Sequence, residues 1–177
     1  DSIVSEREVV FKIAHRYGRP PMDVFQSGGI FTTHTLAYDD PETEALFALN
    51  RQVLKSLGMV RGVTHVEFIR ANEDGQFYFL ECAARVGGAN IDELVMAAAG
   101  INLWAEWARI ELAHLRRESY EMPPIRRDYA GLILCLARQD HPDLSAYADS
   151  EIVWRLEDKK NHAGLIVASP HLERVQS

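Results

Sequence analysis

The chain has 177 residues, with 26 acidic and 19 basic side chains among them, for a formal net charge of −7. That length suits one domain or one and a half, and 47% hydrophobic with 25% charged residues is the balance of an ordinary globular protein. The acidic balance argues against nucleic acid or an anionic membrane as the main partner, since both select basic surfaces, and no apolar run is long enough to span a bilayer.

In chain order, Ile3-Val4 reads as a short strand, followed by a turn near Glu6-Arg7 and a second strand from Val9 to Tyr17, in which Val9, Phe11 and Ile13 alternate with Val10, Lys12 and Ala14. Gly18-Arg-Pro-Pro21 and Gly28-Gly29 are breaks, and Phe31 to Tyr38 is a further strand. A helix follows: Asp40 caps it, Pro41 fits its first position, Leu46, Leu49, Val53 and Leu57 form its stripe, and Gly58 ends it. Beyond the hairpin described below, Asn90 with Glu93 three residues on is a capping-box variant opening a second helix, with Ile91, Leu94, Val95 and Ala98 inward and Gly100 at its end. Asn102 opens a third, carrying Leu103, Trp107, Ile110 and Leu115.

The charged, Pro-Pro-containing stretch 116–127 reads as a linker. Tyr129 to Ala137 is apolar on both faces, as a fully buried strand would be, and Glu151 to Leu156 and His162 to Ala168 are two more strands around the turn Asp158-Lys-Lys-Asn161. The expected class is therefore α+β. An antiparallel sheet flanked by helices spans 1–115, and a small β-rich unit spans 128–177. The chain starts without Met and stops as Leu172 and Val175 begin a helical stripe, so a fragment of a longer polypeptide is expected, truncated at both ends. Cys82 and Cys135 sit inside apolar strand patterns and are expected as reduced core residues, which suits a cytoplasmic protein.

The most informative stretch runs from Gly62 to Gly88. Two apolar, β-rich runs flank Asn72-Glu-Asp-Gly75, a hairpin signal with Gly75 free to take positive φ. If Glu73-Asp74-Gly75 is a three-residue loop closed by Asn72 and Gln76, then Arg70 faces Tyr78, Phe68 faces Leu80, and Glu67 faces Glu81. Directly opposed like charges destabilise a strand pair, and two unit charges ~5 Å apart repel by ~3 kcal/mol at an effective dielectric of about 20. A cation between them removes that cost. Magnesium suits, as a hard ion that takes one or two carboxylates plus phosphate oxygens.

Strand alternation then puts His65, Glu67 and Ile69 on one face with Phe79, Glu81 and Ala83, with Arg85 just past the strand end. A cation site beside a histidine and a guanidinium is the inventory of a site that binds or transfers phosphate. The plainer alternative has Glu67 or Glu81 in solvent, or paired with Arg70 or Arg85. Gly87-Gly88 before a helix N-terminus either receives an anion or is a capped loop. Lys12 and His15-Arg16 either add positive charge to a cleft or form a solvated face.

Gly62-x-x-His65-x-Glu67-Phe68, an Asp-Gly hairpin, Phe79-Leu-Glu81-Cys-Ala-Ala-Arg85-x-Gly-Gly88 and an Asp-Glu-Leu-Val helix ending in Ala-Gly together resemble the C-terminal lobe of the ATP-grasp superfamily. The match covers roughly residues 1–114 and is most similar to carboxylate–amine ligases of the L-amino-acid-ligase and biotin-carboxylase kinds. The resemblance implies an ATP-dependent ligase whose cofactors are ATP and magnesium, with manganese as a substitute, and whose partner is a small carboxylate substrate. It also implies a missing N-terminal lobe of the same polypeptide, and homo-oligomers are open.

Site roles follow from the same resemblance. Glu67 and Glu81 match the metal-binding acids, and Arg85 the catalytic arginine that stabilises the transferring phosphoryl group. Leu80 matches an apolar residue packing on adenine, although the register above puts it on the face opposite Glu81. Glu81, Gly87 and Gly88 join Leu80 as nucleotide-binding positions, with His65, Lys12 and His15 as accessory positions. One departure stands out: the family usually has Asn where this chain has Ala83, which His65 faces. Two alternatives remain. One is a non-catalytic ATP-grasp-like nucleotide-binding or scaffold module. The other is a metal-free α+β domain with surface acids.

Overall fold

The computed structural model describes residues 1–176 and, within them, every side chain except that of Phe25. Ser177, the last residue of the expected unit 128–177, lies outside the described residues. The elements in chain order are β1 (Ser2–Ser5), β2 (Glu8–Lys12), β3 (His15–Tyr17), α1 (Pro21–Ser27), β4 (Ile30–Thr35), α2 (Pro41–Ser56), β5 (Gly62–Arg70), β6 (Phe77–Ala83), α3 (Ile91–Ala99), α4 (Leu103–Arg116), β7 (Tyr129–Leu136), β8 (Ile152–Arg155), β9 (His162–Ser169) and α5 (Glu173–Gln176). This is the expected α+β class, with antiparallel sheets flanked by helices.

The elements sort into two compact units that interleave along the chain, instead of following one another across a linker at 116–127. One unit comprises Asp1–Ala14, Tyr38–Gly88 and Asn102–Pro124; the other comprises His15–Ala37, Ala89–Ile101 and the residues from Ile125 on. The expected strand 9–17 is therefore two strands in two sheets. β2 pairs with β1, whereas β3 pairs with β4. Alternation continues through the crossover at Ile13-Ala14, so periodicity alone does not mark it.

The first unit holds a four-stranded antiparallel sheet in the order β2-β1-β5-β6. Glu6 (φ 50°) and Arg7 (φ 70°) form the two-residue turn between β1 and β2, closed by Ser5 opposite Glu8. Positive φ at both central positions is the geometry whose twist matches the flanking strands. The helix α2 begins as expected, with Asp40 Oδ1 accepting from the Glu42 N–H at 2.8 Å and Pro41 at the first position.

The buried stripe of α2 is Thr43, Phe47, Asn50 and Leu54, one residue away from the expected one; Leu46, Leu49 and Val53 are half-buried and Leu57 is exposed. Asn50 can turn inward because its Nδ2 donates to Ser2 Oγ at 2.8 Å, satisfying a buried amide. In α4, capped by Asn102 Oδ1 on the Ala105 N–H at 3.0 Å, the buried positions are Leu103, Glu106 and Ile110, while Leu115 is open to solvent. Glu106 is held by Arg109 Nη1 at 2.5 Å and by the Tyr120 hydroxyl at 2.7 Å, and this pins the irregular chain beyond the helix.

The second unit is built on the five-stranded antiparallel sheet β3-β4-β7-β9-β8. β4 joins β7 along five residue pairs, from Ile30 opposite Cys135 to His34 opposite Gly131, so the expected C-terminal β-rich unit shares its sheet with an early part of the chain. In β7, Ala130 and Leu132 are buried, but Ile133 and, at the strand end, Leu136 are exposed, so the strand is not buried along its whole length. The α3 stripe is the expected one: Ile91, Leu94, Val95 and Ala98 are all buried, and Gly100 (φ 71°) ends the helix. Arg126 Nη2 donates to the Met96 and Ala97 carbonyls, each at 3.0 Å, satisfying acceptors of the last turn. The helix α1, behind Pro20-Pro21, has no counterpart in the expected elements. Both cysteines are free, as expected, but they are half-buried instead of core residues.

Candidate functional site

The hairpin β5–β6 carries the two expected acids. The Ala71 N–H donates to the Gln76 carbonyl at 2.9 Å, so the loop is the four residues 72–75, one more than expected, with Gly75 at φ 70°. Asp74 knits this tip, accepting from the Gln76 N–H at 2.9 Å and from the Tyr78 hydroxyl at 2.7 Å; these bonds hold its carboxyl below the usual carboxylate range and push the Tyr78 phenol up.

From the tip the strands pair Arg70 with Phe77, Ile69 with Tyr78 and Phe68 with Phe79; then Leu80 is skipped, and Glu67 pairs with Glu81, Val66 with Cys82 and His65 with Ala83. Leu80 is the extra residue of a β-bulge. It corrects three expected placements. Arg70 does not face Tyr78. Phe79 lies with Phe68 on the face away from Glu67, their rings edge-on at 6.2 Å. And Leu80, exposed, is released from strict alternation, which removes the conflict over its side of the strand. The central expectation holds: Glu67 and Glu81 are directly opposed on one face.

His65 joins them from below. Its Nδ1 lies 3.1 and 3.2 Å from Asp1 Oδ1 and Oδ2, and its Nε2 lies 3.3 Å from Glu67 Oε1. Asp1 is in place because main-chain bonds tie it to Ile13 in both directions, at 2.9 and 3.0 Å, and because β1 pairs with β5 from Ser2 opposite Thr64. Its carboxylate is fully buried. Asp1 is the site residue that sequence reasoning missed. The signal for it was the pairing of Ser2-Ile-Val4 with Gly62-Val-Thr64, which continues the row from His65 to Asp1. Gly87 backs the ring, since a Cβ there would sit 2.9 Å from His65 Nδ1.

The basic residues distribute differently from the expectation. Arg70 is engaged by Glu42 at 2.7 Å, and Arg85 Nη1 donates to the Val86 carbonyl at 2.8 Å, so neither pairs with the facing acids. Glu81 is exposed, and no hydrogen bond or ion pair holds it among the described residues. Lys12 is not an accessory group of this face. It lies in row with Ser2 and Thr64, over the Phe47 ring of α2 at 4.3 Å and 3.7 Å from Glu44, because the alternation of β2 turns it toward the helix. His15 belongs to β3 in the other unit. Gly88 ends the first unit, and the helix after it, α3, belongs to the second. Asn90 stands at the start of α3 in the left-handed region (φ 59°), and its side chain makes no cap, so the capping box does not form.

Among the described residues no three His, Cys, Asp or Glu side chains are arranged so that they could hold a metal ion together. Two opposed carboxylates are a donor set of hard oxygens suited to an ion that completes its shell with water and phosphate, the habit of magnesium. They do not suit one that needs an all-protein cage.

No protein-family model and no curated protein sequence matches the chain. Solved structures do. An L-amino acid ligase from Bacillus licheniformis superposes with a TM-score of 0.69 at 17% identity, over 99% of this chain and 47% of its own. A phosphoribosylglycinamide synthetase from Anaerococcus prevotii gives 0.62 at 16% identity, over 99% and 48%. A glycinamide-RNase-transformylase T from Mycobacterium tuberculosis gives 0.65 at 14% identity, over 98% and 46%. The chain has the ATP-grasp fold. It spans about half the length of these ATP-grasp structures, consistent with the C-terminal lobe.

Proposed function

We propose that the chain is the C-terminal part of a cytoplasmic, ATP- and magnesium-dependent ligase that activates a carboxylate as an acylphosphate for attack by an amine or a similar nucleophile. The observation that carries this reading is Glu67 directly opposite Glu81, with no hydrogen bond or ion pair on Glu81 among the described residues. Glu67 and Glu81 would hold magnesium, which when bound offsets the charge of the triphosphate and of the group in transfer. Arg85, exposed beside the strand end, would neutralise the oxygens of the transferring phosphoryl group. Leu80, freed by the bulge, would pack on adenine, and Gly88, exposed and with open space where a Cβ would stand, would let backbone approach the nucleotide, whereas the space beside Gly87 is taken by His65. In that reaction a substrate carboxylate oxygen would displace ADP from the γ-phosphoryl group, and the amine would then displace phosphate from the acyl carbon, giving up a proton to the released phosphate or to water. The second lobe and the substrate-selecting groups would come from elsewhere in the polypeptide.

The test is Glu81→Gln in the full-length protein. Turnover is expected to fall by orders of magnitude with an unchanged circular dichroism spectrum, and near-normal turnover would overturn the mechanism. Ala83, where the resemblance leads one to expect asparagine, favours a second reading as a non-catalytic nucleotide-binding or scaffold module. ADP release on adding amino acids to the intact protein separates the two, since a scaffold releases none.

A further inference from the structure

We propose that His65 is a positioning residue that presets the Glu67 carboxylate for its cation, and that Asp1 and Gly87 exist in this fold to lock His65. The inference rests on the reading of Glu67 as a cation ligand and adds to it the device that orients the ligand. Four residues carry it, all in one compact unit.

The two facing acids are not equivalent. Glu81 is exposed and unengaged, whereas the Glu67 side chain is only 21% exposed and its Oε1 meets His65 Nε2 at 3.3 Å. A glutamate free to rotate gives up rotamer freedom when an ion fixes it. A carboxylate already held by a neighbour has lost that freedom before the ion arrives. Hydrogen bonds from an outer layer of this kind are worth about 10–100-fold in metal affinity.

The holder is itself held. The His65 side chain is 8% exposed, with its far nitrogen against both oxygens of Asp1, whose carboxylate is fully buried. Burying an acid is costly unless partners compensate it, and His65 is one partner the structure supplies. Gly87 completes the lock by leaving the ring its space. A methyl group at this position would meet His65 Nδ1 at 2.9 Å and Asp1 Oδ1 at 3.3 Å, and because the glycine carries no left-handed φ, backbone conformation is not what calls for it. On the partner strand the residue facing His65 is Ala83, which offers no polar group, so orientation from within this row falls to the histidine.

The experiment titrates manganese into the full-length polypeptide, reads free Mn2+ by electron paramagnetic resonance, and follows thermal unfolding without metal. Glu67→Gln calibrates the site: unchanged Mn2+ affinity in this variant refutes the cation-site reading itself, and the present proposal with it. If Glu67→Gln does weaken Mn2+, the histidine variants decide. His65→Gln places an amide N–H near the original Nε2, toward Glu67, and is expected to bind within about threefold of the native protein. His65→Asn reaches only the Nδ1 position, toward Asp1, and is expected to lose about 10–100-fold. That split, seen at equal unfolding temperatures, marks positioning. Equal losses in both variants, or no loss in either, overturn the proposal. Should the histidine variants not fold, Gly87→Ala displaces the ring while leaving every donor and acceptor in place. It is expected to weaken Mn2+ binding by a similar factor, and native affinity in Gly87→Ala overturns the proposal as well.

Discussion

Without divalent cations, Glu81→Gln is expected to make the protein more stable, which is unusual for a change at a proposed catalytic centre. Two unit charges ~5 Å apart repel by ~3 kcal/mol at an effective dielectric of about 20 and by ~0.8 kcal/mol at about 80. Glu81 is exposed and the Glu67 side chain retains 21% of its exposure, so the aqueous end of that range applies and the gain is about 1 kcal/mol. For a protein of this size that raises the unfolding midpoint by roughly 2–4 °C. Melts in EDTA at low ionic strength read it directly. The gain should vanish near 1 M salt, where the screening length falls to about 3 Å. Magnesium reverses the order: at about tenfold above its dissociation constant it stabilises the native protein by ~1.4 kcal/mol and leaves the variant nearly untouched. A Glu81→Gln protein that is no more stable in EDTA, or whose gain survives high salt, would show that the two acids do not repel, and would remove the reason for placing a cation between them.

Two further outcomes are expected. Titration of ATP into the 177-residue chain alone should show weak binding and no turnover, because one lobe cannot bury a nucleotide; micromolar affinity by calorimetry would refute this. Tyr120→Phe should cost about 1 kcal/mol near neutral pH, a hydrogen bond to a buried carboxylate discounted for the half-exposure of the phenol. Burial, followed by the bond to Glu106, raises the Tyr120 phenol above its ordinary value near 10, so its stabilisation is complete below that pH and is lost as pH rises further. Urea melts of the native protein should therefore weaken more steeply above pH 10 than those of Tyr120→Phe, and parallel profiles would contradict it.

Local chemistry was legible at most helix ends, though not at Asn90, whose expected cap does not form. Asp40 and Asn102 cap their helices, Gly100 ends α3, and the apolar stripe of α3 is the buried one. Long-range pairing was not legible. Thr43 and Asn50 face inward on α2, and for Asn50 the reason is a hydroxyl on Ser2, 48 residues away, that receives its amide. Glu106 is buried because Tyr120 returns over it from beyond the helix. The strand at 9–17 divides because His15 finds Thr35, a partner that alternation cannot announce. Asp1 escaped notice for the same reason: nothing next to it in sequence marks it as the residue that holds His65.

The acid pair was legible through two displacements that cancel. A four-residue loop closed by Ala71 and Gln76, continued without interruption, would set Glu67 against Leu80 and Glu81 against Val66, and the two carboxylates would lie on opposite faces. The bulge at Leu80 moves β6 by one residue and returns Glu81 to Glu67. A three-residue loop with no bulge gives the same facing pair, so hairpin arithmetic reaches the observed pairing of the acids by a wrong path, and it errs only between the bulge and the tip, where Phe79 and Tyr78 change sides. In a strand of period two, a single inserted residue decides which face every later side chain takes. Leu80, the residue that makes the insertion, is therefore what brings the second acid to the first, and the same step leaves its side chain exposed, where the proposed function would use it against the nucleotide. One irregularity in β6 accounts for both the metal-binding and the adenine-packing positions of the proposed site.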